Sequence, residues 1–381
     1  MSYKKYYQHF LNAHGDKLHM ACHSHHFWPD ITRQATLDYW DDSAKLSDQK
    51  WEYFFSQKLP QLQKYIAKNL NLSDPQQIVF APNTHDLLVR VLSLLNFKKK
   101  PMILTTDSEF HSFSRQILKL EEEGLVEVHR LKTQSELSLQ EEIKTITRNK
   151  SFDLVFISQT FYNSGRTIRD LNQLVNLLSN QGIIVIDGYH SYMTRELDLS
   201  KIENRIYFLS GHYKYAQAGE GLCFMSCPPS KVNPIITGWF AQIDALAAKQ
   251  GNVAYPEKAG KFWGSTMDFT PVYRALAVYD LFESADITIA KTHQYICSLQ
   301  KSFMEIINSL QVDILSESKL LNKVGDAQFL AFDIGTNAQD LESTLRQKGI
   351  LTDSRGSTLR FGFSLYQDVQ DFEKLRVIEQ L

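Results

Sequence analysis

Two apolar runs in the chain end in residues able to do acid–base and nucleophilic chemistry. The run Ile183 to Ile186 delivers Asp187, then Gly188, Tyr189 and His190, and the run Ile206 to Leu209 is followed by Ser210, Gly211, His212, Tyr213 and Lys214. In an open α/β sheet ligands bind outside the carboxyl ends of the strands, so an acid and a lysine brought to that edge on neighbouring strands are candidates for one site. Taken singly, each has a plainer reading, because strand-end aspartates form turns and caps and lone lysines are solvated. Other site signatures are missing. Neither GxGxxG after a strand nor GxxxxGK[ST] occurs, and Gly260 to Thr266 lacks the order of the latter. The run Cys22-His23-Ser24-His25-His26 is rich in ligating side chains but lacks zinc-site spacing and a partner pair, so no metal is expected. Cys223 and Cys227 read as buried structural thiols.

The elements that must position Asp187 and Lys214 follow from periodicity. Short β-branched runs bounded by turn residues recur through the first two-thirds of the chain, most of them followed by helix-period segments, which is the pattern of βαβ units. Strands are predicted at Ile78 to Ala81, Met102 to Thr105, Val126 to Leu131, Leu154 to Ser158, Ile183 to Ile186, Ile206 to Leu209 and Leu222 to Met225. After the first, Pro82, Asn83 and Thr84 make a turn, and Leu87, Leu88, Val91, Leu92 and Leu95 repeat at helical spacing. Little helical pattern separates the sixth run from the seventh, so one antiparallel neighbour is expected in an otherwise parallel sheet. The fold class is therefore α/β, with a seven-stranded mixed, mostly parallel sheet and a smaller C-terminal α+β domain. Residues 1–30 are expected to pack on a large domain of 31–260, with 261–381 forming the small one.

Charge and composition narrow the partners. The 381 residues include 41 basic and 43 acidic side chains, a net charge of −2, which leaves no basic field for nucleic acid or an anionic membrane. Four cysteines are too few for a disulfide framework in a chain this long and suit a reducing, cytoplasmic setting. No run approaches the roughly 18 apolar residues of a membrane span, and the N-terminus lacks a signal-peptide apolar core. Small molecules and copies of the chain itself remain as partners.

With Asp187-Gly188-Tyr189-His190 preceding Lys214 by 27 residues, the sequence resembles fold-type I enzymes that use pyridoxal 5'-phosphate, more narrowly the class V aminotransferase group, and within it the kynureninases. Ser210-Gly211-His212-Tyr213-Lys214-Tyr215 is similar to the S-G-H-K of cysteine desulfurases with one residue inserted, and to the S-Y-K-Y of kynureninases without insertion. The resemblance implies that Lys214 is the Schiff-base lysine, that Asp187 keeps the cofactor ring nitrogen protonated, and that His190 stacks under the ring or orients Asp187. A helix N-terminus suits the phosphate dianion, and Asn83-Thr84-His85 occupies that place. Tyr213 is implied as a further phosphate partner, and Thr266 as one reaching from a neighbouring subunit of a homodimer.

Further markers assign the substrate side. Phe110 or His111 would stack on the cofactor's upper face, with Phe110 favoured, and Tyr162 or Asn163 would bond its ring hydroxyl. Leu359-Arg360-Phe361-Gly362-Phe363-Ser364-Leu365-Tyr366 is similar to the kynureninase R-x-A-x-x-L-Y, whose arginine grips the substrate α-carboxylate, a task suited to a planar guanidinium. Arg355, in Asp353-Ser354-Arg355, resembles the D-x-R of that family, and Gly238-Trp239-Phe240 its G-W-[WF] element, in which Trp239 would wall the partner's pocket. The N-terminal run departs from the family pattern, so His25, His26 and Trp28 either line the pocket or pack the first helix. The resemblance implies kynureninase-like hydrolytic Cβ–Cγ cleavage of a free amino acid, with class V aminotransferase as the alternative. Cysteine desulfurase ranks last, because the only cysteine in the C-terminal third, Cys297, falls in a helical pattern rather than on a loop.

Overall fold

The computed structural model describes residues 2–245, 251, 253–310 and 312–380. The strands, in chain order, are β1 (Leu18–His19), β2 (Ile78–Ala81), β3 (Met102–Thr106), β4 (Glu127–Leu131), β5 (Leu154–Ser158), β6 (Ile183–Asp187), β7 (Tyr207–Gly211), β8 (Cys223–Ser226), β9 (Phe329–Asp333), β10 (Ile350–Leu351), β11 (Asp353–Arg355) and β12 (Thr358–Gly362). Seven of them form one sheet in the order β2-β8-β7-β6-β5-β3-β4. Only β8 runs against its neighbours, pairing antiparallel with both β7 and β2. This is the mixed, mostly parallel sheet that the spacing predicts. The short link between β7 and β8 cannot hold a crossover helix, so the chain must turn straight back.

Both faces of the sheet are covered, which is why its strands read as continuous apolar runs rather than alternating ones. Ile184, Ile186, Phe208 and Phe224 point into one core, whereas Val185, Leu209 and Met225 point into the other. A third core, around Leu299, Phe303, Phe332, Phe361 and Phe372, lies under the three-stranded sheet β11-β12-β9. The ends of the chain meet there. Leu18 and Met20 join this third core, and β1 pairs in parallel with β10, while the helix Thr270–Ser284 contributes Val272, Ala275 and Tyr279 to the first.

Two local features aim the strand ends. The helix Thr84–Leu92 begins where the Asn83 side chain accepts the Asp86 amide at 2.9 Å, and Leu87, Leu88, Val91 and Leu92 bury its inner face. After β6 the chain passes so close to Phe208 that a Cβ on Gly188 would lie 2.0 Å from that ring, so only glycine fits. The turn that begins there raises Tyr189 and His190 over the sheet edge.

Candidate functional site

At the carboxyl edge of the sheet Asp187 stands in register with Ser158 of β5 and Leu209 of β7. Lys214 follows β7 in a tight loop, in which the Ala218 amide donates to His212 O at 2.9 Å and the Gln217 amide to Lys214 O at 2.9 Å. Two outside contacts brace that loop. His212 Nε2 meets the Tyr279 hydroxyl at 2.9 Å, and the Tyr7 hydroxyl donates to Gln217 Oε1 at 2.5 Å, so the N-terminal segment holds the lysine loop in place.

A cavity of about 310 Å³ opens over this edge, within the range of small-ligand sites. It brings together His25, Thr84, Phe110, Tyr162, Asp187, His190, Tyr213, Lys214, Arg355 and Arg360 of the residues singled out from sequence. The others stand apart. Asn83 caps the helix that presents Thr84, His85 is exposed beside it, and His111 sits outside Phe110 with its ring 5.6 Å from Tyr162. Asn163 turns away and donates to Ser108 Oγ at 3.2 Å. His26 is buried against Tyr366 and meets Ser364 Oγ at 2.8 Å, so it packs the first segment while His23, Ser24 and His25 line the cavity. Trp239 donates its indole N–H to Thr266 Oγ1 at 3.2 Å, and Thr266 lines a separate cavity beside Arg90.

Burial sets the charges. The Lys214 amine is pushed down to about 7, chiefly by desolvation and next by the Arg360 cation, with Asp187 opposing. Its nitrogen lies 2.5 Å from His190 Nε2, and burial with Lys214 and Arg360 nearby keeps that imidazole well below its usual range and neutral. His190 thus partners the lysine, not Asp187. Desolvation raises Asp187 to about 6 even though the Tyr189 amide donates to it at 2.9 Å and Lys214 attracts its charge. A buried carboxylate of this kind fits a protonated ring nitrogen, the exposed start of the Thr84 helix fits a phosphate, and a neutral amine fits a carbonyl carbon. The cavity therefore suits pyridoxal phosphate.

On the far wall, Arg360 Nε donates to Asp353 Oδ1 at 3.1 Å, its Nη2 reaches the same oxygen, and its Nη1 bonds the carbonyl of Tyr162. Arg355 holds the other Asp353 oxygen at 3.1 Å. Glu109 escaped the sequence reading. Fully buried, it accepts from Thr106 Oγ1 at 2.6 Å and from the Ser158 amide and hydroxyl, and desolvation pushes it up to about 7. It ties the loop carrying Phe110 to the strand beside Asp187. The available signal was the predicted strand Met102 to Thr105, followed by Thr106 and an acid three residues beyond that threonine.

The Aminotransferase class-V family model matches residues 34–375. A probable cysteine desulfurase from Vibrio cholerae serotype O1 is 24% identical over 224 residues, covering 55% of this chain, and the chain spans about half (53%) of the length of that relative. Among solved structures, a cystine C–S lyase in complex with its product cysteine persulfide shares the fold at TM-score 0.82 and 16% identity, over 97% of this chain and 98% of that one. A cysteine desulfurase from Escherichia coli does so at TM-score 0.78 and 15% identity, over 100% and 98%. These findings overturn the kynureninase-like hydrolysis implied by the sequence motifs, since the relatives break C–S bonds by name. The physical reason lies in what the motifs touch: Arg360 and Arg355 pair with Asp353 on one wall of the cavity, and that arrangement says nothing about the bond to be broken. Matched over nine-tenths of its length, with Lys214 and Asp187 lining one cavity at the carboxyl edge of a seven-stranded mixed sheet, the chain belongs to the aminotransferase class-V family and is a pyridoxal phosphate enzyme.

Proposed function

We propose that the protein cleaves a C–S bond of cystine or a related cysteine derivative and releases the sulfur into solution. One observation carries the second half of this reading: none of the four cysteines lines the cavity. Cys22 and Cys223 are buried behind lining residues, the first next to His23 and the second with Sγ 3.8 Å from the Tyr189 hydroxyl, Cys227 is buried as well, and Cys297 sits on the helix Ile289–Ser309 with His293 Nε2 at 3.6 Å. A persulfide carried on the chain would need a thiol beside the substrate. The relative from Vibrio cholerae and the likeness of fold to a cystine C–S lyase support the first half.

When bound, the cofactor supplies an electron sink that acidifies the substrate α-carbon. The side chains do the rest. Arg360 holds the α-carboxylate, fixed for it by Asp353, and Phe110 covers the cavity above Lys214, whose amine lies 5.9 Å from that ring. Lys214, neutral above about pH 7, takes the proton from the α-carbon, and the neutral His190 imidazole, with Nε2 at 2.5 Å, accepts a hydrogen bond from the amine and orients it. Asp187, which keeps the ring nitrogen protonated, needs no movement. Elimination then breaks the Cβ–S bond, and the sulfur leaves with the bonding pair. Cystine and water thus give cysteine persulfide, pyruvate and ammonium, with no change in overall oxidation state and no external oxidant. Thr266 and Trp239 are assigned to the site of a partner copy in a homodimer.

The test is a product analysis of the holoenzyme with L-cystine, L-cysteine, and L-aspartate plus a keto acid. Pyruvate and ammonium in equal amounts from L-cystine are expected, with no amino transfer to the keto acid. Transamination without pyruvate from L-cystine would refute the proposal.

A further inference from the structure

His23 is a buried side chain of the cavity wall that none of the chemistry above uses. It is fully buried, lines the cavity, and leaves both ring nitrogens without a hydrogen-bond partner. Its position is built in. The segment after β1 runs beside β12, where the Gly362 amide donates to Met20 O at 2.6 Å. Arg360 and Gly362 share one face of β12, two residues apart. Any side chain at 362 would fill the space of the imidazole, because a Cβ there would lie 2.5 Å from His23 Nδ1. The ring packs 4.9 Å from Phe329, over which the Arg360 guanidinium also lies at 5.6 Å. His23 Nε2 is 4.0 Å from Asp353 Oδ1, the oxygen that holds Arg360.

We propose that His23 is a substrate-binding residue whose Nε2–H donates to the α-carboxylate gripped by Arg360. Arg360 already spends three of its nitrogens on Asp353 and the Tyr162 carbonyl. A guanidinium carries five N–H groups, so a carboxylate arriving here finds only part of the fork free and gains from a neighbouring donor. The donor must also be uncharged, since a second cation against Arg360 would repel it. Burial, Arg360 and Lys214 keep the His23 imidazole neutral, which leaves one N–H to donate and no charge to accommodate. A buried donor without a partner is costly until a ligand meets it, which favours the occupied site. The inference rests on the amino-acid substrate of the proposed function and not on which bond of that substrate breaks.

The test uses the holoenzyme and two probes read by the change in its visible absorption: L-alanine, which carries the carboxylate, and methoxyamine, which does not. For His23→Phe, L-alanine affinity is expected to fall roughly tenfold to hundredfold, the worth of a hydrogen bond to a charged group, with methoxyamine reacting as in the parent. His23→Gln keeps an N–H donor and should restore most of the L-alanine affinity. If His23→Phe does not fold, His23→Met carries the same comparison. Unchanged L-alanine affinity, or equal losses for both probes, would overturn the assignment. Dependence of L-alanine affinity on His23 in an enzyme that fails to cleave L-cystine would uphold it while removing the C–S reading.

Discussion

Burial does at Lys214 and Asp187 what charge pairing alone would not. A solvated lysine is almost wholly protonated at neutral pH, whereas Lys214 is pushed down to about 7. Because only the neutral amine attacks a carbonyl, the rate at which apoprotein captures pyridoxal phosphate should rise with pH up to about 7 and level off above it. Stopped-flow absorbance checks this, and a rate still climbing above pH 9 would mean an unperturbed amine. Asp187→Asn should keep the cofactor yet lose activity on the order of 100-fold or more, comparable to removing an acid–base partner. Steady-state turnover beside a cofactor titration separates the two effects. At this scale the sequence showed Asp187, Lys214 and Arg360 because each follows an apolar run or sits in a compact motif. Glu109 stayed hidden because its partner Ser158 lies 49 residues away and meets it only in the folded sheet. Within Cys22 to His26, sequence could not tell which imidazole turns inward. That depends on the pairing of this segment with Gly362, which puts His23 in the cavity and His26 against Ser364.

Strand and helix ends convert these residues into a site. The helix Thr84–Leu92 offers its free amides to a phosphate only if its first turn is held, and Asn83 holds it through the Asp86 amide. Asn83→Ala should cost about 1 kcal/mol in urea unfolding, with weaker cofactor binding, and Asn83→Asp should keep most of that stability. The pair β11 and β12 likewise fixes Arg360 on the cavity wall, since Asp353 and Arg360 face each other across it. Losing a charge-assisted pair in a closed site costs about 2–5 kcal/mol, so Arg360→Lys should lower kcat/KM at least roughly tenfold at about 1.4 kcal/mol per decade. The seven strands were legible to within two residues at each end, because a sheet buried on both faces demands continuous apolar runs. The reaction was not. The motifs similar to those of kynureninases at Asp353 to Arg355 and around Arg360 lie on β11 and β12, where they pair two arginines with Asp353 on the cavity wall, and that pairing does not specify which bond breaks.

For the whole molecule, the exposed apolar side chains concentrate. Val232, Ile235, Ile236, Trp239 and Val253 lie on one stretch, and Ile236 adjoins the cavity of about 340 Å³ lined by Arg90 and Thr266. Exposed apolar side chains of this kind favour association, and a two-fold pair is the commonest solution. Sedimentation should find a dimer, and Trp239→Asp should shift it toward monomer with loss of activity. Among the described residues no helix is long and apolar enough to cross a membrane. The central claim is that the C–S bond is broken without a thiol of the chain taking the sulfur. Intact-mass spectrometry of the holoenzyme during turnover of L-cystine tests it most directly, with released persulfide and pyruvate followed in the same samples. The expected result is a protein mass that never gains a sulfur atom while persulfide appears in solution in step with pyruvate. A sulfur atom added to the chain at Cys297 or another cysteine, at a rate matching turnover, would contradict it.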